Sequence, residues 1–195
     1  LREAFEMRLC LWDLQSPINI GMILRTAEIY RVPVVVYDRR GVFGGSAALT
    51  TISDFACGAL QRRPPAIYGE ERRVREAISG RLFATVIAPD AQPLQQTMIG
   101  ADDCVLVGNE YDGLPDGLLA AADTHLMIPM PPGYYPKPQS ASPIDPARSQ
   151  KNAQDGMPSL NVAVASAIIM FEVFARTPGA ELATVRSVAP RVGSH

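Results

Sequence analysis

The sequence predicts an α/β fold: a mostly parallel sheet with helices on both faces. Two observations carry this. Short β-branched and apolar runs alternate with helix-length segments through most of the chain. The runs Val32 to Tyr37 and Leu82 to Ala88 are apolar but for Thr85, as in strands covered on both faces. At 195 residues and 47% hydrophobic, the chain is long and apolar enough for a sizeable core.

Taken in order, Arg8 to Leu14 reads as a first strand. Ser16-Pro17-Ile18-Asn19 is a turn and helix-start signal. Ile20, Ile23, Leu24, Ala27 and Tyr30 then repeat at the spacing of an amphipathic helix. Val32 to Tyr37 is the second strand, and Gly41 to Ser46 a glycine-rich loop. A helix is expected over Thr51 to Leu60, ended by Arg62 to Pro65, and a charged surface helix over Glu70 to Ser79. Leu82 to Ala88 and Asp103 to Val107 are strands, Pro115 to Ala122 a helix, and His125 to Ile128 a last short strand. Asn161 to Arg176 is a helix apolar nearly all round, which implies cover on more than one face. A domain over 1–178 is expected, with a Pro-rich insert at 131–158 and a flexible tail at 179–195.

Composition narrows the function classes. The longest apolar stretch, Val162 to Phe171, is about half a bilayer span, so no membrane is expected. No basic-plus-apolar leader opens the sequence, which predicts a cytoplasmic protein. It opens on Leu1 and not on Met, which leaves its natural start open. Cys10, Cys57 and Cys104 are far apart and odd in number, so neither a disulfide framework nor a zinc cluster is suggested. The net charge of −2 argues against gripping nucleic acid by bulk electrostatics, but leaves room for a local arginine patch. Lys137 and Lys151 are the only lysines among the 18 basic residues.

Common nucleotide signatures are absent: no G-x-G-x-x-G follows a strand, and there is no G-x-x-x-x-G-K-[ST]. The only histidines, His125 and His195, have no metal-ligand spacing, so no metal is expected. Three other stretches stand out: Ser16 to Ala27 (SPINIGMILRTA), Val105 to Pro115 (VLVGNEYDGLP), and Ile128-Pro129-Met130 with Ser159-Leu160-Asn161-Val162 beyond the insert. Together they resemble the three motifs of the SpoU/TrmH family, S-adenosylmethionine-dependent RNA ribose 2′-O-methyltransferases of the SPOUT class. That family shows P-x-N-x-G-x-I-x-R-T-A, then G-N-E-x-x-G-L, then I-P-M and S-L-N-V, in this order. The likeness runs from about Leu9 to Ala175. One such motif is weak; three in order are specific.

Each piece also has a plain structural reading. Asn19 suits a helix cap, and Arg25 leaves the apolar stripe as a surface arginine. Gly108-Asn109-Glu110 through Gly113-Leu114-Pro115 suits an ordinary strand-to-helix loop. Ser159 and Asn161 suit caps of the last helix. The resemblance implies more. It makes Arg25, Asn19, Glu110, Ser159 and Asn161 the catalytic set. It gives Gly108, Asn109, Glu110, Gly113, Leu114, Ile128, Met130, Ser159, Leu160 and Asn161 to S-adenosylmethionine. A guanidinium is a poor proton acceptor, so Arg25 is expected to hold an RNA phosphate and ease a developing alkoxide on the 2′-oxygen. Methyl transfer from a sulfonium is mostly alignment, so the lack of a histidine or carboxylate pair does not argue against an enzyme.

The resemblance further implies a C-terminal trefoil knot, a homodimer with the first and last helices at its interface, and tRNA or rRNA as substrate. Two departures bear on this. The family passes from I-P-M to S-L-N through few residues, whereas here Pro131 to Pro158 intervenes, with seven prolines. That insert is either a surface loop or a lid in which Tyr134, Tyr135, Lys137, Arg148 and Lys151 meet RNA. Pro158 stands where relatives often carry Glu. This sequence holds no separate RNA-binding domain in front of the motifs, so RNA recognition is expected to use the catalytic dimer itself, with Arg39, Arg40, Arg62, Arg63, Arg72, Arg73 and Arg75 as candidates for phosphate contacts, or else a part before Leu1. The expected function is RNA ribose 2′-O-methylation. The alternatives are a non-catalytic cofactor- and RNA-binding protein, or a SPOUT enzyme acting on a base.

Overall fold

The structure, a computed structural model, describes residues 7–131 and 159–177. Residues 132–158 of the expected 131–158 insert, residues from 178 on with the whole expected tail, and the first six residues lie outside the described residues, and with them the connection on which the expected knot depends and the insert's Tyr134, Tyr135, Lys137, Arg148 and Lys151.

Among the described residues, seven strands form one sheet, every pair parallel. They are β1 (Arg8–Trp12), β2 (Val34–Tyr37), β3 (Ala66–Tyr68), β4 (Leu82–Thr85), β5 (Gln92–Pro93), β6 (Cys104–Val107) and β7 (Thr124–Met127). Their spatial order is β3-β2-β1-β6-β4-β7-β5. The helices are α1 (Pro17–Tyr30), α2 (Ser46–Ala56), α3 (Ala59–Arg62), α4 (Glu71–Ala77), α5 (Asp116–Ala121) and α6 (Val162–Arg176).

The strand period of two sorts residues into two cores. Leu9, Leu11, Val34, Val36, Phe83, Val105 and Val107 point to one face, where α1, α2, α3 and α6 cover them with Ile23, Ile52, Ala59 and Ile169. Cys10, Trp12, Val35, Ala84, Cys104 and Leu106 point to the other, beneath Val74 of α4 and Leu118 of α5. Helices on both faces explain why these strands are apolar without alternation.

Element boundaries differ from expectation where glycine and left-handed backbone intervene. The loop from Gly41 holds a 3₁₀ turn, Val42–Gly44, and Ser46 already starts α2. The helix expected over Thr51 to Leu60 is two helices. Cys57 (φ 50°) and Gly58 (φ 85°) are both left-handed, which ends α2 and starts α3. Strands β3 and β5 were not anticipated, being too short to show a period. Gly21 lets α1 lie against α2: a Cβ there would meet Ile52 O and Phe55 Cβ at 2.7 Å.

Candidate active site

A cavity of about 380 Å³ opens at the carboxyl ends of β4, β6 and β7 and is closed by the start of α6. In parallel sheets this edge is where ligands bind, because strand-to-helix loops gather there. Nine of the ten residues expected to hold a cofactor line it: Gly108, Asn109, Glu110, Gly113, Ile128, Met130, Ser159, Leu160 and Asn161. The tenth, Leu114, does not. It is buried in the second core beside Trp12 and Leu118, where it anchors the loop from behind. Thr85, the last residue of β4, and Val86 and Ile87 just beyond it also line the cavity. Sequence reasoning missed them because only the strand order puts β4 between β6 and β7.

The loop after β6 is built by its own side chains. Gly108 has no room for a Cβ, which would run into the backbone of Gly113 and Leu114. The Asn109 carbonyl oxygen Oδ1 accepts from Tyr111 N at 2.8 Å and Asp112 N at 3.1 Å, an Asx-type turn. Its Nδ2 donates to the backbone oxygen of Asp13 at 3.0 Å, and Gly113 N returns to Asn109 O at 2.9 Å. Gly113 takes the left-handed φ of 68° that this return needs.

Glu110 ties this loop to the start of α1. Its Oε1 accepts from Asn19 Nδ2 at 3.0 Å and Ser16 N at 3.3 Å, and its Oε2 from Gln15 N at 3.2 Å. Ser16 is the N-cap of α1, accepting from Asn19 N, and Pro17 sits at the first helical position. Asn19 passes the chain on, its Oδ1 accepting from Asn161 Nδ2 at 3.1 Å. Asn161 caps α6, its Oδ1 accepting from Ala163 N at 2.8 Å and Val164 N at 3.4 Å. Glu110, Asn19 and Asn161 thus form one directed chain of hydrogen bonds across all three motif stretches. Both amides have a single orientation that satisfies it.

Arg25 is placed differently. It is exposed on α1, is not among the residues lining the cavity, and its Nη1 donates to Cys57 Sγ at 3.4 Å. Of the expected catalytic set, then, Glu110, Ser159 and Asn161 line the cavity, Asn19 is bonded to two of those three, and Arg25 stands apart in this chain. Among the described residues no group of His, Cys, Asp and Glu could hold a metal ion.

The family model of the SpoU rRNA Methylase family matches residues 6–135. The chain belongs to that family. It is 26% identical over 175 residues to the tRNA (guanosine(18)-2′-O)-methyltransferase of Escherichia coli K12, a match covering 88% of this chain and 64% of the relative. The chain therefore spans somewhat under two thirds of the length of that relative. An uncharacterized tRNA/rRNA methyltransferase of Synechocystis is 27% identical over 164 residues, 83% of this chain and 36% of that protein. Among solved structures, one from work on the 2-OH methylation of C/U34 on tRNA superposes with a TM-score of 0.65 at 22% identity, covering 88% of this chain and 95% of that one. The SpoU methyltransferase AviRb of Streptomyces viridochromogenes, solved with AdoMet, gives 0.62 at 21% identity, covering 89% of this chain and 58% of that one. These superpositions show that this family member shares their fold.

Proposed function

We propose that the chain is an S-adenosylmethionine-dependent methyltransferase acting on a ribose 2′-hydroxyl of tRNA or rRNA, working as a cytoplasmic homodimer with the knotted C-terminal path its resemblance implies. The observation that carries this reading is the hydrogen-bonded chain Glu110–Asn19–Asn161, which gathers three motif stretches at one cavity. The enzymatic activity of the matched relative supports it, as does the co-crystallised donor of the AviRb structure.

The residues present fit the donor. The cavity volume falls within the roughly 300–1,000 Å³ of small-molecule sites. Gly108 lets the loop fold back closely on itself at the cavity wall, Ile128, Met130 and Leu160 offer apolar surface for adenine, and the loop backbone supplies donors and acceptors. Held by these residues, S-adenosylmethionine would supply an activated methyl group for transfer to the ribose oxygen, with its sulfur as the leaving group. This chain's own groups have to hold and align. Glu110 and Asn19 fix the loop after β6, and Asn161 fixes the entry to α6, so the walls are set before substrate arrives.

Arg25 completes the site from a second copy. It lies on one exposed face of α1 with Ile18, Met22 and Ile29, which are 44%, 43% and 68% exposed, and α6 adds Val164 and Phe171. Burying such a face against a partner is what an isologous dimer does. The partner's arginine then holds an RNA phosphate and stabilises negative charge on the 2′-oxygen, whose proton leaves to a phosphate oxygen or water. The test is incubation with labelled S-adenosylmethionine and total RNA from a strain lacking the gene, followed by nucleoside analysis. A ribose-methylated nucleoside is expected. A methylated base, or cofactor binding without transfer to any RNA, would replace this reading with a base methyltransferase or a non-catalytic binding protein.

A further inference from the structure

The arginines of this chain are not equivalent. Arg62 is matched by Glu28 through two hydrogen bonds of 2.6 and 2.7 Å. Arg72 and Arg75 pair with Glu76 and Glu71 one turn away on α4. Each of these guanidinium charges is cancelled by a carboxylate of its own. Arg39 and Arg40 instead share one. Arg39 donates through Nη2 and Arg40 through Nε to the same oxygen, Oδ2 of Asp13, at 3.0 and 3.2 Å. Two positive charges therefore meet one negative charge. Each guanidinium spends one of its five N–H donors on it, which leaves most of both forks for another acceptor.

Exposure gives the cluster a direction. The Asp13 side chain is 8% exposed, whereas Arg39 is 60% and Arg40 31% exposed. The negative end is inside and the positive end faces out. The neighbouring carboxylate, Asp38, is taken up by backbone donors, Val42 N at 2.8 Å and Phe43 N at 3.0 Å, which fastens the turn carrying both arginines. That turn leaves the carboxyl end of β2, where Trp12 and Tyr37 lie in register with ring centroids 4.6 Å apart. The arginines thus stand on a rigid platform, so fixing them on a ligand costs little further side-chain freedom.

Position links the cluster to the cavity. Asp13 follows β1 in a left-handed conformation (φ 53°), and its carbonyl receives Asn109 Nδ2 from the cavity-lining loop. One residue thus holds the arginine pair by its side chain and the cavity wall by its backbone. We infer that Arg39 and Arg40, held by Asp13, form a docking site for a backbone phosphate of the substrate RNA beside the cavity. This rests on the RNA reading proposed above. It assigns the pair a task separate from the chemistry: setting the register of the RNA on the sheet's carboxyl edge.

The test uses the full chain and, as probes, unfractionated tRNA and ribosomal RNA from a strain lacking the gene. Arg39→Gln keeps Arg40 on Asp13, so the buried carboxylate stays paired and the fold is protected. Asp13→Asn/Arg39→Gln/Arg40→Gln removes all three charges without leaving a lone buried one. Thermal melts and calorimetric S-adenosylmethionine binding should match wild type for both. RNA affinity should fall about tenfold in the triple variant. The slope of log affinity against log salt should shrink by roughly 1 for Arg39→Gln, as for a lost phosphate contact. Methyl transfer should show a raised KM for RNA with kcat kept. If the wild type methylates RNA and both variants match it in affinity and salt slope, the arginines serve the fold alone and only this inference fails. If the wild type binds the cofactor but neither RNA pool, the RNA reading and this inference fall together.

Discussion

At the scale of single residues, three side chains carry the sharpest consequences. Asn161 bonds Asn19 and also caps α6, so Asn161→Ala removes a cap worth about 1 kcal/mol together with the link between the first and third motifs. A drop in thermal midpoint and a larger loss of methyl transfer are expected, read by calorimetry and by the labelled-cofactor assay. The cysteines separate by environment. Cys57 is exposed, while Cys10 and Cys104 are buried, and the Cys10 thiol is pushed well above its ordinary value by its hydrogen bond with Cys104 and by burial. Maleimide labelling of the native chain should modify Cys57 and spare the other two until the protein unfolds, as mass spectrometry of the digested protein will show. Asp103 marks the acid limb of stability. Burial pushes its carboxyl up, but Arg81 and the backbone N–H groups of Gly100 and Arg81 outweigh this and hold it below its ordinary value. A carboxylate lowered on folding stabilises above its unfolded pKa, and that contribution is lost as pH falls through the folded value. Stability should therefore decline below the ordinary aspartate range, and Asp103→Asn should flatten that decline in pH-dependent melts.

At the scale of elements, the loop between β6 and α5 sets the site. Gly108→Ala would drive a Cβ into the backbone of Gly113 and Leu114 and push the loop toward the cavity. Cofactor affinity should fall by more than about tenfold, with far-UV circular dichroism unchanged, since the loop and not the sheet absorbs the strain. Titration calorimetry with S-adenosylmethionine reads this directly. Much of this loop was legible beforehand, because Gly108, Asn109 and Gly113 carry the conformational needs of a tight return in their own chemistry. Leu114 was not. Its side chain turns to the opposite core, and no local pattern says which face of a sheet a loop residue after a strand will join. The short helices show the same limit. Two left-handed residues, Cys57 and Gly58, split one expected helix into α2 and α3, and only the packing of Ile52, Ala56 and Ala59 into the core makes that break worthwhile.

For the whole molecule, the exposed face of α1 and the place of Arg25 converge on one expectation. Met22→Glu/Ile29→Glu should turn a dimer into a monomer in light scattering and abolish methyl transfer, because burying unpaired carboxylates in an apolar interface is unfavourable. A second measurement separates assembly from chemistry. Mixing Arg25→Ala chains with Asn161→Ala chains should restore part of the lost activity if each site takes its arginine from the other copy. No recovery, with dimers still present, would put Arg25 and the cavity in the same chain's service or remove Arg25 from the reaction.

The sequence by itself determined the α/β class, the family and the identity of half of the cavity-lining residues, because strand hydropathy, helix periodicity and motif order are local properties written in neighbouring residues. Only the tertiary structure decided that Glu110, Asn19 and Asn161 form one hydrogen-bonded chain, that Thr85, Val86 and Ile87 complete the cavity, and that Arg25 stands apart from it. The same holds for the sharing of Asp13 by Arg39 and Arg40. These are contacts between residues far apart in the chain, fixed by strand order and by burial, and no local signal encodes which distant carboxylate a given arginine will meet.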